Sequence, residues 1–265
     1  MSDEPKIRLE ALTKSFGSNL VLDHLDLEIA DGEALVLVGP SGTGKSVLLK
    51  HIIGLLAPDQ GTVWIDGTDL WSLSPHELNE FRRRFGMSFQ EGALFDSMTV
   101  FDNIAFPLRR QTKKNAAEIR GRVEECLDIV HLSGVESKKP AELSGGMRRR
   151  VGFARAITLE PEILLFDEPT TGLDPVMTDV IDSTILAMQE RLKCTSVTIT
   201  HNMESARKIG DRVAMIFHGR IVAIAPPDEF IRSTNPLVRQ FVEGNAEGPL
   251  TDEPAGFGRN EGGKP

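Results

Sequence analysis

Apolar and polar residues alternate along Ile7–Leu12 and Val21–Ile29, and again over Thr62–Ile65, which runs into the turn pair Asp66-Gly67. A period of two puts successive side chains on opposite faces of a strand, so these segments predict a small antiparallel sheet with one face in the core. Ala34-Leu-Val-Leu-Val38 shows no alternation. An unbroken apolar, β-branched run of this length predicts a strand covered on both faces. Val47-Leu-Leu-Lys-His-Ile-Ile53 then predicts a helix. From about Pro75 to Ile157 the pattern turns helical; in Ala116–Val130 the apolar positions Ile119, Val123, Leu127 and Val130 recur at helical spacing. Two further apolar runs, Ile163–Phe166 and Ser196–Ile199, predict buried strands separated by a helical run from Val176 to Arg191. The expectation is an α/β protein: a core at about residues 1–89 and 158–243, with a helical subdomain inserted at about 90–157. Beyond Gly244 the periodicity stops and glycine, proline and acidic residues dominate, so residues 244–265 are expected to form a flexible tail.

Composition narrows the function classes. The 265 residues, 40% of them hydrophobic, suffice for one large domain or two small ones. A formal net charge of −9 argues against a general nucleic-acid coat. The short basic runs Arg82–Arg84, Lys113-Lys114 and Arg148–Arg150 lack interleaved aromatics and read as solvated faces, so no nucleic-acid partner is expected. No apolar run approaches the roughly 18 residues that span a bilayer, and Met1-Ser-Asp-Glu-Pro5 lacks the basic-then-apolar order of a signal peptide. A soluble, cytosolic chain is the expectation. Cys126 and Cys194 stand outside any metal or redox spacing and are expected as buried structural thiols.

The chemistry concentrates in Gly39-Pro40-Ser41-Gly42-Thr43-Gly44-Lys45-Ser46, which follows the apolar strand and precedes the helix. This is the phosphate-binding loop pattern G-x-x-x-x-G-K-[ST] in the setting where it has mechanical meaning. Its glycines allow a tight turn that points successive N–H groups inward at the positive end of a helix. Lys45 is expected to reach the β- and γ-phosphates of a nucleotide, and the Ser46 hydroxyl to ligate Mg²⁺. Ile163–Phe166 ends in Asp167-Glu168, two carboxylates at the edge of a sheet where α/β proteins bind ligands. Asp167 is expected to hold Mg²⁺, directly or through water, and Glu168 to polarise a water aligned with the γ-phosphate. Ser144-Gly145-Gly146, ahead of the helical-looking Arg148–Ala156, is a second anion-binding geometry at a helix start.

Together these motifs resemble the ATPase subunits of ABC transporters, over about residues 6–240. The resemblance implies a P-loop NTPase, RecA-like core with an antiparallel β subdomain and an inserted helical subdomain. It also implies ATP and Mg²⁺, and a homodimer in which the serine-glycine-glycine signature of one subunit completes the nucleotide site of the other. On that reading Gln90 resembles the glutamine that meets Mg²⁺ and senses the transmembrane partner. Asp174, in Gly172-Leu-Asp174, resembles the loop that crosses the dimer interface, and His201 resembles the switch histidine on the γ-phosphate. Glu168 resembles the catalytic base, supported by His201 and Lys45. The adenine-stacking position, tyrosine in most of the family, is Phe16 here, which keeps the π-face. Met147 stands where many relatives have glutamine, outside the phosphate contacts assigned to Ser144, Gly145 and Gly146.

Together with the signature Leu143-Ser-Gly-Gly-Met147, the run from Gln90 to Leu108 resembles the ATPases of Mla and Mce-type lipid transport systems. That resemblance implies a bacterial motor on the cytoplasmic side of the inner membrane, docked near Gln90–Phe106 on a permease that moves phospholipids or related hydrophobic molecules between membranes. Substrate-binding and accessory regulatory subunits would complete it. Leu94 and Phe95 read either as docking residues or as packing within the helical subdomain. The rival reading is an ABC-type assembly ATPase without a membrane partner, such as those serving iron–sulfur cluster machinery. A cassette that binds without hydrolysing is disfavoured by the presence of Lys45, Glu168 and His201.

Overall fold

The computed structural model describes residues 4–88 and 92–251. In chain order it begins with β1 (Ile7–Phe16), β2 (Asn19–Ile29), β3 (Ala34–Val38), α1 (Lys45–Ile52), β4 (Gln60–Ile65), β5 (Thr68–Asp69) and α2 (Pro75–Phe81). There follow β6 (Phe85–Ser88), α3 (Val100–Gln111), α4 (Ala116–Ile129), α5 (Gly145–Ala156), β7 (Ile163–Asp167) and α6 (Pro175–Leu192). The last elements are β8 (Thr195–Ile199), α7 (Met203–Ile209), β9 (Arg212–Phe217), β10 (Arg220–Ala225), α8 (Pro227–Ile231) and α9 (Pro236–Glu243). Contacts divide the described residues into two compact units, one from residues 4–31, 35–78 and 210–251, the other from residues 32–34, 79–88 and 92–209.

In the first unit, β1 pairs antiparallel with β2 and β4, and β4 with β5, in the order β2-β1-β4-β5. The alternating residues point as their period requires: Ile7, Leu9, Leu25, Leu27, Ile29, Val63 and Ile65 are buried. The alternation slips at Ala11, whose φ of 47° is left-handed, and the register with β2 shifts between Leu9 and Leu12. Opposite the slip stands Gly61, where a Cβ would lie 2.3 Å from the Glu10 carbonyl oxygen and 2.4 Å from that of Ala11. Past this bulge β1 continues to Phe16. β3 runs parallel to β9, and β10 returns antiparallel. Leu35–Val38 are buried, as an unbroken apolar run in a parallel strand should be.

The second unit carries the parallel order β8-β7-β6, with Ile163 opposite both Phe85 and Thr195. β6 lies inside the stretch expected to be helical throughout. It is too short for a period to show, and it contains Gly86, where a Cβ would come within 2.5 Å of the Ala156 carbonyl oxygen. α4 starts on a reciprocal cap, Asn115 accepting from the Glu118 N–H and Glu118 from the Asn115 N–H. Its buried positions include Ile119, Val123 and Leu127. Phe153 of α5 meets Phe166 of β7 edge-on at 5.3 Å between ring centroids. Cys126 and Cys194 are free and buried, and burial pushes their thiols up to about 12 and about 11.

Candidate functional site

The phosphate loop joins β3 to α1, which begins at Lys45 rather than at the expected Val47. Its glycines are there for space and for φ. Gly39 has φ 144°, and a Cβ on it would lie 2.3 Å from the Ile216 carbonyl oxygen; Gly44 has φ 99° and sits 3.0 Å, by the same measure, from that of Val21. Thr43 Oγ1 donates to the Pro40 carbonyl at 2.9 Å and braces the turn. Lys45, 9% exposed, donates from Nζ to the carbonyl oxygens of Gly39 at 2.8 Å and Pro40 at 2.7 Å. Its ammonium is thereby held over the loop. Gly44 caps α1 without a side chain and the first turn carries no acidic residue, so neither neutralises the positive end of the helix.

Phe16 ends β1 at the hairpin to β2, opposite Asn19, and is half exposed. Lys14 Nζ stands 5.7 Å from its ring centroid and also binds Asp59 Oδ1 at 2.7 Å, while the Ser15 N–H donates to Asp59 Oδ2 at 2.7 Å. These two donors, Lys14 foremost, hold the Asp59 carboxyl below its ordinary range. The exposed aromatic thus sits on a braced hairpin, next to a cation.

In the second unit, Glu168 follows β7 with a left-handed φ of 53°, and its N–H donates to the Ile199 carbonyl at the end of β8. This turn carries the side chain to His201. Nδ1 of His201 and Oγ1 of Thr171 approach the same oxygen, Glu168 Oε2, at 2.8 Å and 2.7 Å. Residues 33 positions apart are joined by this contact. Asp167 ends β7, paired with Ile199.

Ser144 caps α5, its Oγ accepting from the Met147 N–H at 3.3 Å; Asp174 caps α6, its Oδ1 accepting from the Met177 N–H at 3.0 Å. The two helix starts meet. A Cβ on Gly146 would lie 2.3 Å from Met177 Cε, Arg149 donates to the Thr171 carbonyl, and Gly145, Arg148, Arg149, Gly172 and Leu173 line one cavity of about 450 Å³. Gln90 lies outside the described residues. The roles of Thr171 and Arg149 were missed in sequence; the hydroxyl three residues after Glu168 was the available signal for Thr171.

Around the expected docking segment, Asn103, fully buried in α3, ties down the loop before it: the Phe95 N–H donates to its Oδ1 at 2.8 Å and its Nδ2 donates to the carbonyls of Phe95 and Thr99 at 3.1 Å and 3.0 Å. Phe95 itself remains 43% exposed, with its ring centroid 5.0 Å from that of Phe106. Phe106 and Pro107 line a further cavity of about 530 Å³ with Arg82, Arg83, Arg110 and Arg155.

The ABC transporter family pattern matches residues 22–171. The "Probable ribonucleotide transport ATP-binding protein mkl" of Mycobacterium leprae is 48% identical over 92% of this chain and 70% of its own length. The "Intermembrane phospholipid transport system ATP-binding protein MlaF" of Haemophilus influenzae is 41% identical over 92% of both chains. Among solved structures, the dimeric ATP-binding cassette MJ0796, in a post-hydrolysis state with ADP and Pi, superposes with a TM-score of 0.76 at 32% identity, covering 83% of this chain and 98% of that one. The chain therefore belongs to the ABC transporter family, as one of its ATP-binding ATPase subunits.

Proposed function

We propose that the chain is the ATP-hydrolysing motor of a phospholipid transport system, working as a homodimer on the cytoplasmic face of a bacterial inner membrane. The observation that carries the reading is the likeness to MlaF along 92% of both chains, whereas the mkl relative, whose name points to ribonucleotides, extends well beyond the matched part. In this reading Gly39–Ser46 hold the phosphates, with Lys45 on the β- and γ-phosphates, and Phe16 stacks on the adenine. Ser144, Gly145, Gly146 and Asp174 serve the nucleotide of the opposite subunit.

Hydrolysis needs a base beside the attacking water. We assign that role to Glu168, whose Oε2 is held by Thr171 and His201; its carboxylate would take the proton from water, and His201 would serve as the γ-phosphate contact. The donor set suits Mg²⁺, since Ser46, Asp167 and Gln90 offer hard oxygen ligands. When bound, Mg²⁺ would neutralise charge on the β- and γ-phosphates.

No helix among the described residues is long and apolar enough to cross a membrane; the membrane path would belong to a separate permease. Its docking helix would sit at the arginine-rimmed cavity beside Phe106, near Phe95. Purification from detergent-solubilised membranes, followed by reconstitution with the co-purifying protein into phospholipid vesicles, tests the reading. The expected result is a multi-span partner and ATP-dependent movement of labelled phospholipid. Recovery of active ATPase with no membrane protein would instead favour the assembly-ATPase rival.

A further inference from the structure

α9 ends at Glu243, and the chain turns at Gly244, φ 69°. It then folds back around one side chain. Gln240 is 6% exposed, and its amide is fully engaged by the returning segment: Nε2 donates to the Asn245 carbonyl at 3.1 Å and to Thr251 Oγ1 at 3.4 Å, and Oε1 accepts from the Leu250 N–H at 2.7 Å. Gly248, φ 147°, passes so close that a Cβ there would lie 2.6 Å from Gln240 Oε1. The Thr251 N–H and Oγ1 both donate to the Gly248 carbonyl, at 2.9 Å and 2.8 Å, and close the hook.

A buried amide with three partners on one short segment determines where Leu250 goes. Leu250 lines a cavity of about 200 Å³ whose other walls are Asn19–Val21 of β2, Pro40–Thr43 of the phosphate loop and Phe217–Gly219 of the β9–β10 turn. One wall is therefore the phosphate loop, and another begins at Asn19, the pairing partner of Phe16. Such a space adjoins the position of the phosphates on one side and the aromatic hairpin on the other, and its size suits a base and sugar rather than a whole nucleotide.

We propose that Leu250, held by the Gln240 hook, is a substrate-binding residue that packs on the nucleoside end of ATP. This inference rests on reading Gly39–Ser46 as the ATP site. It assigns part of the nucleotide's affinity to a segment far beyond residues 22–171, the part matched by the family pattern.

The test compares two ligands on the full chain with Mg²⁺ present: a non-hydrolysable ATP analogue, and tripolyphosphate, which has no nucleoside. Leu250→Ala removes the contact from a partly exposed position, while Gly248→Val keeps the leucine in the chain but unseats the hook that positions it. Each variant is expected to weaken the analogue about fivefold, raise KM for ATP similarly and leave kcat and tripolyphosphate binding unchanged. If Gly248→Val does not fold, Leu250→Ala decides alone. Wild-type affinity for the analogue in Leu250→Ala, or an equal loss for both ligands, overturns the inference. Failure of the wild-type chain to bind either ligand overturns the phosphate-loop reading and the inference with it, and is distinguishable because it appears before any substitution.

Discussion

Glu168→Gln separates shape from basicity. In the structure the two donors on this side chain, Thr171 Oγ1 at 2.7 Å and His201 Nδ1 at 2.8 Å, both meet Oε2. A glutamine that puts its amide oxygen there accepts both hydrogen bonds, so the left-handed turn at Glu168 and the position of His201 should survive. The stability change is expected to stay within about 0.5 kcal/mol. The amide, however, cannot take a proton from water. Loss of a positioned general base lowers a rate about 10²–10⁴-fold, or roughly 2.7–5.5 kcal/mol of activation free energy. Thr171→Val is the control: it removes one donor, leaves the carboxylate, and should cost no more than about tenfold. Phosphate release at saturating ATP gives kcat, calorimetry gives nucleotide affinity, and size-exclusion chromatography with ATP reports the dimer, which the amide variant should hold closed. Near-wild-type hydrolysis by Glu168→Gln would refute the assignment of the base, whereas a collapse of folding would refute the claim that the amide reproduces the two contacts on Oε2.

The other expectations are tested on separate parts of the molecule. Phe95→Arg, at an exposed position beside Phe106 and with Arg155 5.8 Å from the ring, should fold and bind ATP normally yet weaken permease association about tenfold or more, read by co-purification from membranes; unfolding of the variant would make Phe95 a packing residue instead. Gly61→Ala, with φ 85° and a Cβ 2.3 Å from the Glu10 carbonyl oxygen, should lower stability by about 3 kcal/mol, summing overpacking and left-handed backbone costs, while the folded fraction keeps wild-type kcat; an unchanged denaturation midpoint would show that the bulge yields. Burial, opposed by the Ser205 hydrogen bond, raises the Asp182 pKa in the folded state, so its ionisation above the ordinary carboxylate range is a cost of folding that grows as pH rises through the folded value. Asp182→Asn should therefore gain in Tm relative to wild type as pH rises above about 4, the ordinary carboxylate range, and no growth of that gain with pH would sink this account.

The parts of the fold that could be read from the chain were those whose cause is local. The phosphate loop is one continuous run whose glycines, lysine and serine act within a single turn, and β3 is an apolar strand because its own five residues are apolar. What lay beyond reach was decided by distant partners. Glu168 is an ordinary acid in the chain; its left-handed φ and its meeting with His201 depend on the Ile199 carbonyl at the end of a neighbouring strand. β6 exists because β7 pairs with it and because Gly86 lets the Ala156 carbonyl approach, neither of which leaves a period in the sequence. The stretch after Gly244 shows the limit most sharply. Glycine, proline and charge there predict a flexible tail, but one glutamine on the buried face of α9 offers an amide whose donors and acceptor are all taken by residues 245–251. Hydrophobic counting is blind to order of this kind, because the term that wins is the cost of leaving a buried amide unpaired, and that cost belongs to Gln240 rather than to the residues it organises.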